Sequence, residues 1–263
     1  MNELLVALED LREMEVRATQ LKLASMGRLT ASIAHEIRNP LAAVSHAAAL
    51  MSEEAGQDPP RLLQIIQDNV RRIDRIVGDV LSISRSGRAR LEPVALTEAI
   101  EQAISELHLD SKGAEDRITY SLPTPCRVWF DRAHLAQIMN NLLQNALRYA
   151  TKERAAIKIT AYTHDDGTAS GESFCELKIE DDGPGLSVEA VAHLFEPFFT
   201  THVQGTGLGL YLARELASAN EASLFYRAEK NETGKPRGAT FFLRMKRAHP
   251  ANPDNETEQQ EGA

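Results

Sequence analysis

The sequence predicts an α-helical hairpin followed by an α/β sandwich, and three observations lead there. Residues 1–90 hold little glycine or proline and carry three apolar stripes at helical spacing. From about Leu91 short strand-like runs alternate with helical ones. A glycine-rich stretch between Asp181 and Gly209 supplies a loop of the kind that binding sites use.

The first stripe, Leu4, Ala7, Leu11, Met14, Ala18 and Leu21, steps by threes and fours like a short coiled-coil seam. The second comprises Met26, Thr30, Ile33, Ile37, Leu41, Val44, Ala48 and Met51, after which Gly56-Gln57-Asp58-Pro59-Pro60 breaks the helix. The third, Leu62, Ile66, Asn69, Ile73, Ile76, Val80 and Ile83, keeps a strict 4-3-4-3-4-3 spacing. Two such amphipathic helices with a short connection pair as an antiparallel hairpin. One hairpin covers only part of its apolar surface, which predicts a homodimer that closes a four-helix bundle. Asn69, the polar member of the third stripe, suits a register-fixing role.

Beyond Leu91 a helix is expected over Thr97–Leu109, then strands over Ile118–Leu122 and Arg127–Phe130. Asp131 caps a helix running through Tyr149. Strands Ala156–Thr163 and Phe174–Glu180 follow, joined by a polar, glycine-containing connection. A helix from Gly209 to about Ala219 and a last strand, Ala239–Met245, complete the sandwich. Residues 248–263 hold four acidic residues and no Lys or Arg, a disordered tail. The chain thus divides into an N-terminal signalling helix (1–22), a hairpin domain (23–88), a sandwich domain (89–247) and the tail (248–263).

A formal net charge of −9 argues against a nucleic-acid-binding surface, which needs clustered Lys and Arg. Cys126 and Cys175 lack metal-ligand spacing and read as two buried thiols in a reducing compartment. No apolar run approaches the ~18 residues of a membrane span, and the acidic N-terminus is unlike a secretory signal. The expected setting is cytoplasmic.

His35 is the first candidate for chemistry. With Ile33 at 0° and about 100° per residue, the second stripe centres near ~35°, His35 near ~200° and Asn39 near ~240°. Both therefore face outward, with Glu36 on the flank. An idle surface histidine is the plain alternative, and His46, which has no adjacent acid, is read that way. Three neighbours of His35 argue otherwise. Pro40 leaves the Glu36 carbonyl without its helical donor, a defect of ~3 kcal/mol in an ordinary helix. Glu36 can orient the imidazole so that a neutral ring nitrogen is the nucleophile. Asn39 can hold a water or a phosphoryl oxygen over the same patch.

Ala34-His35-Glu36-Ile37-Arg38-Asn39-Pro40-Leu41 resembles the H-box of two-component sensor histidine kinases. The resemblance implies that His35 is the phospho-acceptor, that Glu36 assists transfer, and that Asn39 supports dephosphorylation of the partner. Asn141-Leu142-Leu143-Gln144-Asn145-Ala146-Leu147-Arg148-Tyr149 is similar to the N-box of the same family. Asn141 and Asn145 share a helical face at i, i+4, where oxygen ligands suit Mg²⁺. The resemblance makes Asn145 the metal ligand, and Arg148 lies one turn on, within reach of a phosphate.

Asp181-Asp182-Gly183-Pro184-Gly185 follows a strand. Asp181 can accept from an adenine amino group, a contact guanine cannot reproduce, while Gly183 and Gly185 allow backbone close to the base. A strand-end turn without function is the alternative for this block taken singly. Gly205-Thr206-Gly207-Leu208-Gly209-Leu210 opens a helix whose first amides can face phosphate oxygens. It is neither a Walker-type loop nor a dinucleotide turn. Leu194-Phe195-Glu196-Pro197-Phe198-Phe199-Thr200-Thr201 resembles the F-box and reads as a lid between glycine hinges or as a buried aromatic cluster. Tyr149, Phe195 and Thr240 complete the nucleotide-binding set that the resemblance implies.

These blocks occur in the family's order over some 175 residues. The resemblance spans about residues 23–247 and implies a dimerisation hairpin, then an ATP-binding sandwich of the histidine kinase/chaperone ATPase type. It further implies ATP and Mg²⁺ as cofactors and the receiver domain of a response regulator as partner. The Phe-Phe-Thr-Thr segment and the Tyr-Leu-Ala-Arg-Glu-Leu run are most similar to the nitrogen-regulation and type IV pilus sensor kinases. Partners in that group are often activators of sigma-54-dependent transcription. Only about 22 helical residues precede the H-box, so any sensor or membrane region belongs to a longer chain or is lacking. Two rivals stand beside this reading: an ATPase of the same superfamily that drives conformational change, and a degenerate kinase acting as a dimeric scaffold. The hairpin with its histidine speaks against the first, and the full set of site residues against the second.

Overall fold

The computed structural model describes residues 32–248, apart from 53–57, 86–88, 111–112, 114, 123–125, 166–172, 203–204 and 230–237. The expected N-terminal seam, the start of the second stripe at Met26 and Thr30, and the acidic tail beyond Ala248 lie outside the described residues. The chain forms two compact units: residues up to Val80 together with Thr200–Thr206, and Leu81–Phe199 together with the chain from Gly207 onward. No helix among the described residues is long and apolar enough to cross a membrane.

In the first unit, helix α1 (residues 32–52) is followed by α2, Pro59–Arg85, which continues past Val80 into the second. The Arg72 guanidinium meets the Glu36 carboxylate at 3.0 Å. Glu36 lies about 24 Å before the end of α1 and Arg72 about 20 Å after the start of α2 at 1.5 Å per residue, so the helices run antiparallel as expected. Leu62 and Ile76 of the third stripe are buried, while its Asn69 amide donates to the Ile65 carbonyl at 2.7 Å. The second stripe is covered on one flank only in the single chain. Pro40 and Ala47 are buried, whereas Leu41, Ala48 and Met51 are exposed. A single partner helix covers one flank of an apolar stripe wider than itself, leaving the other open.

The second unit holds a two-stranded antiparallel sheet and a five-stranded one. Strand β1 (Glu92–Ala95) pairs with β3 (Arg127–Phe130). The larger sheet has the order β2-β4-β5-β7-β6, formed by β2 (Ile118–Ser121), β4 (Ile157–Asp165), β5 (Ser173–Asp181), β6 (Ser223–Tyr226) and β7 (Thr240–Lys246). Only the β2–β4 pairing in it is parallel. Helices α3 (Leu96–Asp110), α4 (Arg132–Tyr149) and α6 (Gly209–Ala219) contribute Ile100, Leu135, Ile138, Leu142, Leu212 and Leu216 to one core with the sheet's Ile157, Ile159, Leu177 and Leu243. Burying each such side chain stabilises by about 1.5–3 kcal/mol.

Two strands and one α-helix were not anticipated. Strand β1 holds Pro93, which argues against a strand, and β6 sets Leu224, Phe225 and Tyr226 in a run without alternation. Helix α5, Val188–His193, has six residues and shows less than two turns of period.

The cap on α4 is as expected. Asp131 Oδ1 accepts from the Ala133 and His134 amides at 3.0 and 3.1 Å, and its Oδ2 from the Arg90 amide at 2.8 Å. Burial opposes its ionisation, but the amides of Arg90, His134 and Ala133 and the His134 charge outweigh it and hold its pKa below the ordinary value. At the other end of α4, Arg117 Nη2 donates to the Leu147, Ala150 and Thr151 carbonyls at 3.1, 3.2 and 2.7 Å. Both ends of the helix that carries the N-box residues are thereby held.

Candidate functional site

On α1, His35 and Asn39 are exposed and Pro40 is buried. Glu36 is half-buried and held by Arg72, each side chain 23% exposed. Its carboxylate is therefore held by an arginine of the other helix rather than free in solvent. Arg72 was missed by sequence reasoning. It stands 36 residues from Glu36, and nothing in the local spacing of α2 marks it.

Asp181 ends β5 and is only 5% exposed. Its Oδ1 accepts the Gly183 and Ala239 amides at 2.9 and 3.1 Å, which turns the carboxylate into a fixed feature of the backbone. Burial pushes its pKa above the ordinary value; those two amides pull it down, and the charges of Asp182 and Glu180 push it up. Thr240 is fully buried, and its hydroxyl has no partner among the described residues. A buried hydroxyl without a partner costs stability unless a ligand atom satisfies it, so Thr240 fits a polar ligand.

Gly183 packs on the end of α4, where a Cβ would come within 2.6 Å of the Tyr149 carbonyl oxygen. Any larger residue would separate the two segments. Asp182 ties the same junction, accepting the Thr151 amide at 2.8 Å and the Thr151 hydroxyl at 2.6 Å. Asp181 and the last turns of α4 are thus set at a defined spacing by Asp182, a residue the sequence reading passed over. Gly185 continues the loop with φ +75°.

Along α4, Asn141 and Asn145 are half-buried, and Arg148 and Tyr149 exposed. Arg148 Nη1 donates to Asn145 Oδ1 at 3.4 Å. Asn141 Nδ2 is covered and lacks an acceptor among the described residues. Gly209 begins α6 beside Asn141, a Cβ there lying 3.4 Å from Asn141 Oδ1, and no side chain caps the α6 N-terminus. An unsatisfied amide donor next to uncapped helix amides suits phosphate oxygens. Asn145 Oδ1 fits Mg²⁺, which takes few protein ligands and keeps water and phosphate oxygens. Among the described residues no group of three or more His, Cys, Asp or Glu is placed to hold a metal.

The aromatic segment is partly covered: Phe195, Phe198 and Phe199 are half-buried. The Arg214 guanidinium lies over the Phe195 ring at 5.1 Å and the His193 ring is 5.6 Å from that of Phe199. Phe198 has φ +66°, and its amide donates to the Gly207 carbonyl at 2.9 Å. Gly207, at φ +69°, lies directly on the Phe198 backbone, where no Cβ fits. Leu208 is fully buried behind it. In the first unit, Gly205 donates its amide to the His202 carbonyl at 3.0 Å. The Thr206 hydroxyl, expected on nucleotide, donates to Asp79 Oδ2 at 3.1 Å.

Residues 25–89 match the family model of the His Kinase A (phospho-acceptor) domain. Residues 130–249 match that of the Histidine kinase-, DNA gyrase B-, and HSP90-like ATPase. The chain is 40% identical over 242 residues to the sensor protein kinase PilS of Pseudomonas aeruginosa, covering 88% of this chain and 43% of that one. To the sensor histidine kinase ZraS of Klebsiella oxytoca it is 27% identical over 87% of this chain and 48% of that one. The chain therefore spans less than half the length of these curated relatives. Among solved structures, the Acinetobacter baumannii histidine kinase AdeS aligns with a TM-score of 0.60 at 22% identity, over 82% of this chain and 98% of that one. Full-length ShkA in complex with AMPPNP aligns with a TM-score of 0.58 at 24% identity, over 85% of this chain and 46% of that one. At these identities the two structures bear on the fold: a helical region followed by an α/β sandwich. With both family models matched in this order, the chain belongs to the sensor histidine kinases of two-component systems.

Proposed function

We propose that this chain transfers the terminal phosphoryl group of ATP to its own His35 and then to an aspartate on a receiver-domain partner. The observation that carries the reading is an exposed His35, followed in the chain by a Glu36 carboxylate held by Arg72, inside the stretch matching the phospho-acceptor domain. A neutral His35 ring nitrogen attacks the γ-phosphorus; the N–P bond forms, the bond to the bridging oxygen breaks, and ADP leaves. Glu36 orients the ring and stabilises the proton on its other nitrogen.

In the nucleotide unit, Asp181 accepts from the adenine amino group and Thr240 supplies a second polar contact. Asn141, Arg148 and the first amides of α6 take phosphate oxygens, and Tyr149 and Phe195 flank the nucleotide. Gly183, Gly185, Gly207, Leu208 and Gly209 form the loops around it, and the motif resemblance adds Gly205 and Thr206 to the set. Bound Mg²⁺, held through Asn145, would neutralise phosphate charge during transfer. Positioning and charge neutralisation account for most of such catalysis.

We further infer a homodimer. Leu63, Val70 and Val77 of α2 repeat every seven residues and are 42–48% exposed in the single chain, the pattern of a seam that a second hairpin covers. The divisions 23–88 and 89–247 remain our working domain limits. Asn39, exposed one turn after His35, supports a role in dephosphorylating the partner. The motif resemblance supports a sigma-54 activator as partner class. Incubation with γ-labelled ATP and Mg²⁺ tests the central claim. The wild-type chain should acquire acid-labile label and His35→Gln none, with nucleotide affinity unchanged. Full labelling of His35→Gln refutes the acceptor assignment, and free phosphate without phosphoprotein points to the ATPase alternative.

A further inference from the structure

Cys126 and Cys175 stand 49 positions apart, yet their Sγ atoms lie 3.1 Å from each other. Neither takes part in the reaction above, and both are reduced and buried. Closing from 3.1 Å to a sulfur–sulfur bond of ~2.05 Å asks for about 1 Å of side-chain movement. The pair also spans two sheets. Cys126 immediately precedes β3 of the small sheet, and Cys175 sits within β5 of the large one. The noncovalent links beside it are the Val128–Arg247 bridge and the Ala248 amide on the Arg127 carbonyl at 2.9 Å.

The two sulfurs are not equivalent. The hydrogen bond between the two sulfurs lowers the Cys126 pKa against the opposing effect of burial, and the Arg247 charge lowers it further. The same hydrogen bond and burial push the Cys175 thiol far up. Cys126 is thus the more readily deprotonated of the two.

We propose that Cys126 and Cys175 form an oxidative modification site for hydroperoxides, closing to a reversible disulfide that staples the two sheets of the nucleotide unit. The Cys126 thiolate attacks a peroxide oxygen; the S–O bond forms, the O–O bond breaks, and hydroxide leaves as water after protonation. The Cys175 sulfur then attacks the Cys126 sulfenic acid. The S–S bond forms, the S–O bond breaks, and the Cys175 proton departs with the hydroxyl as a second water. The two thiols lose two electrons in total, and one hydrogen peroxide is reduced to two waters. A cellular dithiol reopens the bond by exchange, which makes it the transient kind of disulfide expected in a reducing compartment. The closed loop contains all of α4, with Asn141, Asn145 and Arg148. The staple therefore restricts the unfolded chain around the residues that face the nucleotide, whichever phospho-acceptor the kinase uses.

The test is direct because the chain has two cysteines in all. The full chain, freed of reductant, is treated with a small excess of hydrogen peroxide, then followed by intact mass, peptide mapping and thermal melting. We expect a loss of ~2 Da, a mapped Cys126–Cys175 cross-link, and a midpoint raised by on the order of 5 °C. Dithiothreitol should reverse all three. Cys175→Ser should halt at a Cys126 sulfenic acid trapped by dimedone, and Cys126→Ser should show neither product. The proposal is overturned if wild-type thiols persist, if oxygen is added to cysteine without loss of hydrogen, or if disulfides form only between chains.

Discussion

Replacing Asp181 with Asn separates the proposed binding role of that carboxylate from its part in the fold. Oδ1 accepts the Gly183 and Ala239 amides, and an Asn carbonyl oxygen preserves both bonds. The substitution puts an NH₂ in place of Oδ2, so a donor meets the adenine amino donor. A hydrogen bond to a charged acceptor contributes about 1.5–3 kcal/mol, which corresponds to roughly 10- to 150-fold weaker ATP binding. Stability should move the other way. The folded pKa of Asp181 is raised, chiefly by burial. The protonated form is therefore favoured by folding, and that gain is lost as pH rises through the folded pKa. At neutral pH the charged group burdens the fold, and a neutral isostere removes the burden. Titration calorimetry with ATP, paired with thermal melts at pH 7, measures both. In the wild type, ATP affinity should also decline on acidification from a pH above the usual carboxylate range. An Asp181→Asn chain that binds ATP within threefold of wild type would refute the adenine assignment. One that melts well below wild type would refute the account of the buried charge.

Asp131→Ala should cost about 1 kcal/mol at pH 7, as the loss of an N-cap does. Because the folded pKa of Asp131 is lowered, its stabilisation is present above the unfolded value of about 3.9 and lost as pH falls through the folded pKa. Urea melts of the two chains should therefore converge below pH ~4, and a difference independent of pH would sink the cap argument. Asp182→Ala should weaken Mg-ATP binding about 5- to 20-fold by freeing the Thr151 junction, while Asp182→Asn, which can keep both bonds, restores it. A fluorescent-nucleotide titration showing all three chains within twofold would remove Asp182 from the positioning role. Val70→Glu, facing its own copy across the proposed seam, should convert a dimer to monomers in sedimentation velocity; an unshifted dimer would place the interface elsewhere.

The family blocks were legible because each is local. The Asp131 cap, the i, i+4 pair Asn141 and Asn145, and the outward His35 follow from helix geometry over a few residues, whatever the rest of the chain does. Strand existence was legible where alternation showed, as in β4, β5 and β7, and failed for β1, which holds Pro93, and for β6, whose Leu224, Phe225 and Tyr226 form a run without alternation. The same limit applies to the second stripe. Periodicity located the apolar arc of α1, but only packing against α2 decided that Pro40 and Ala47 are covered while Leu41 and Ala48 are not.

What tertiary structure alone decided are the contacts between distant segments: Glu36 with Arg72, Thr151 with Asp182, and Cys126 with Cys175, separated by 36, 31 and 49 residues. Strand order and register bring these partners together, and they are set by the packing of the whole core, to which spacing along the chain is blind. By itself the sequence determined which faces and caps exist and which motif residues are on offer. Folding determined which of them meet, and so gave Glu36 its orienting arginine, Asp181 its fixed spacing from α4, and two apparently unrelated thiols a common site.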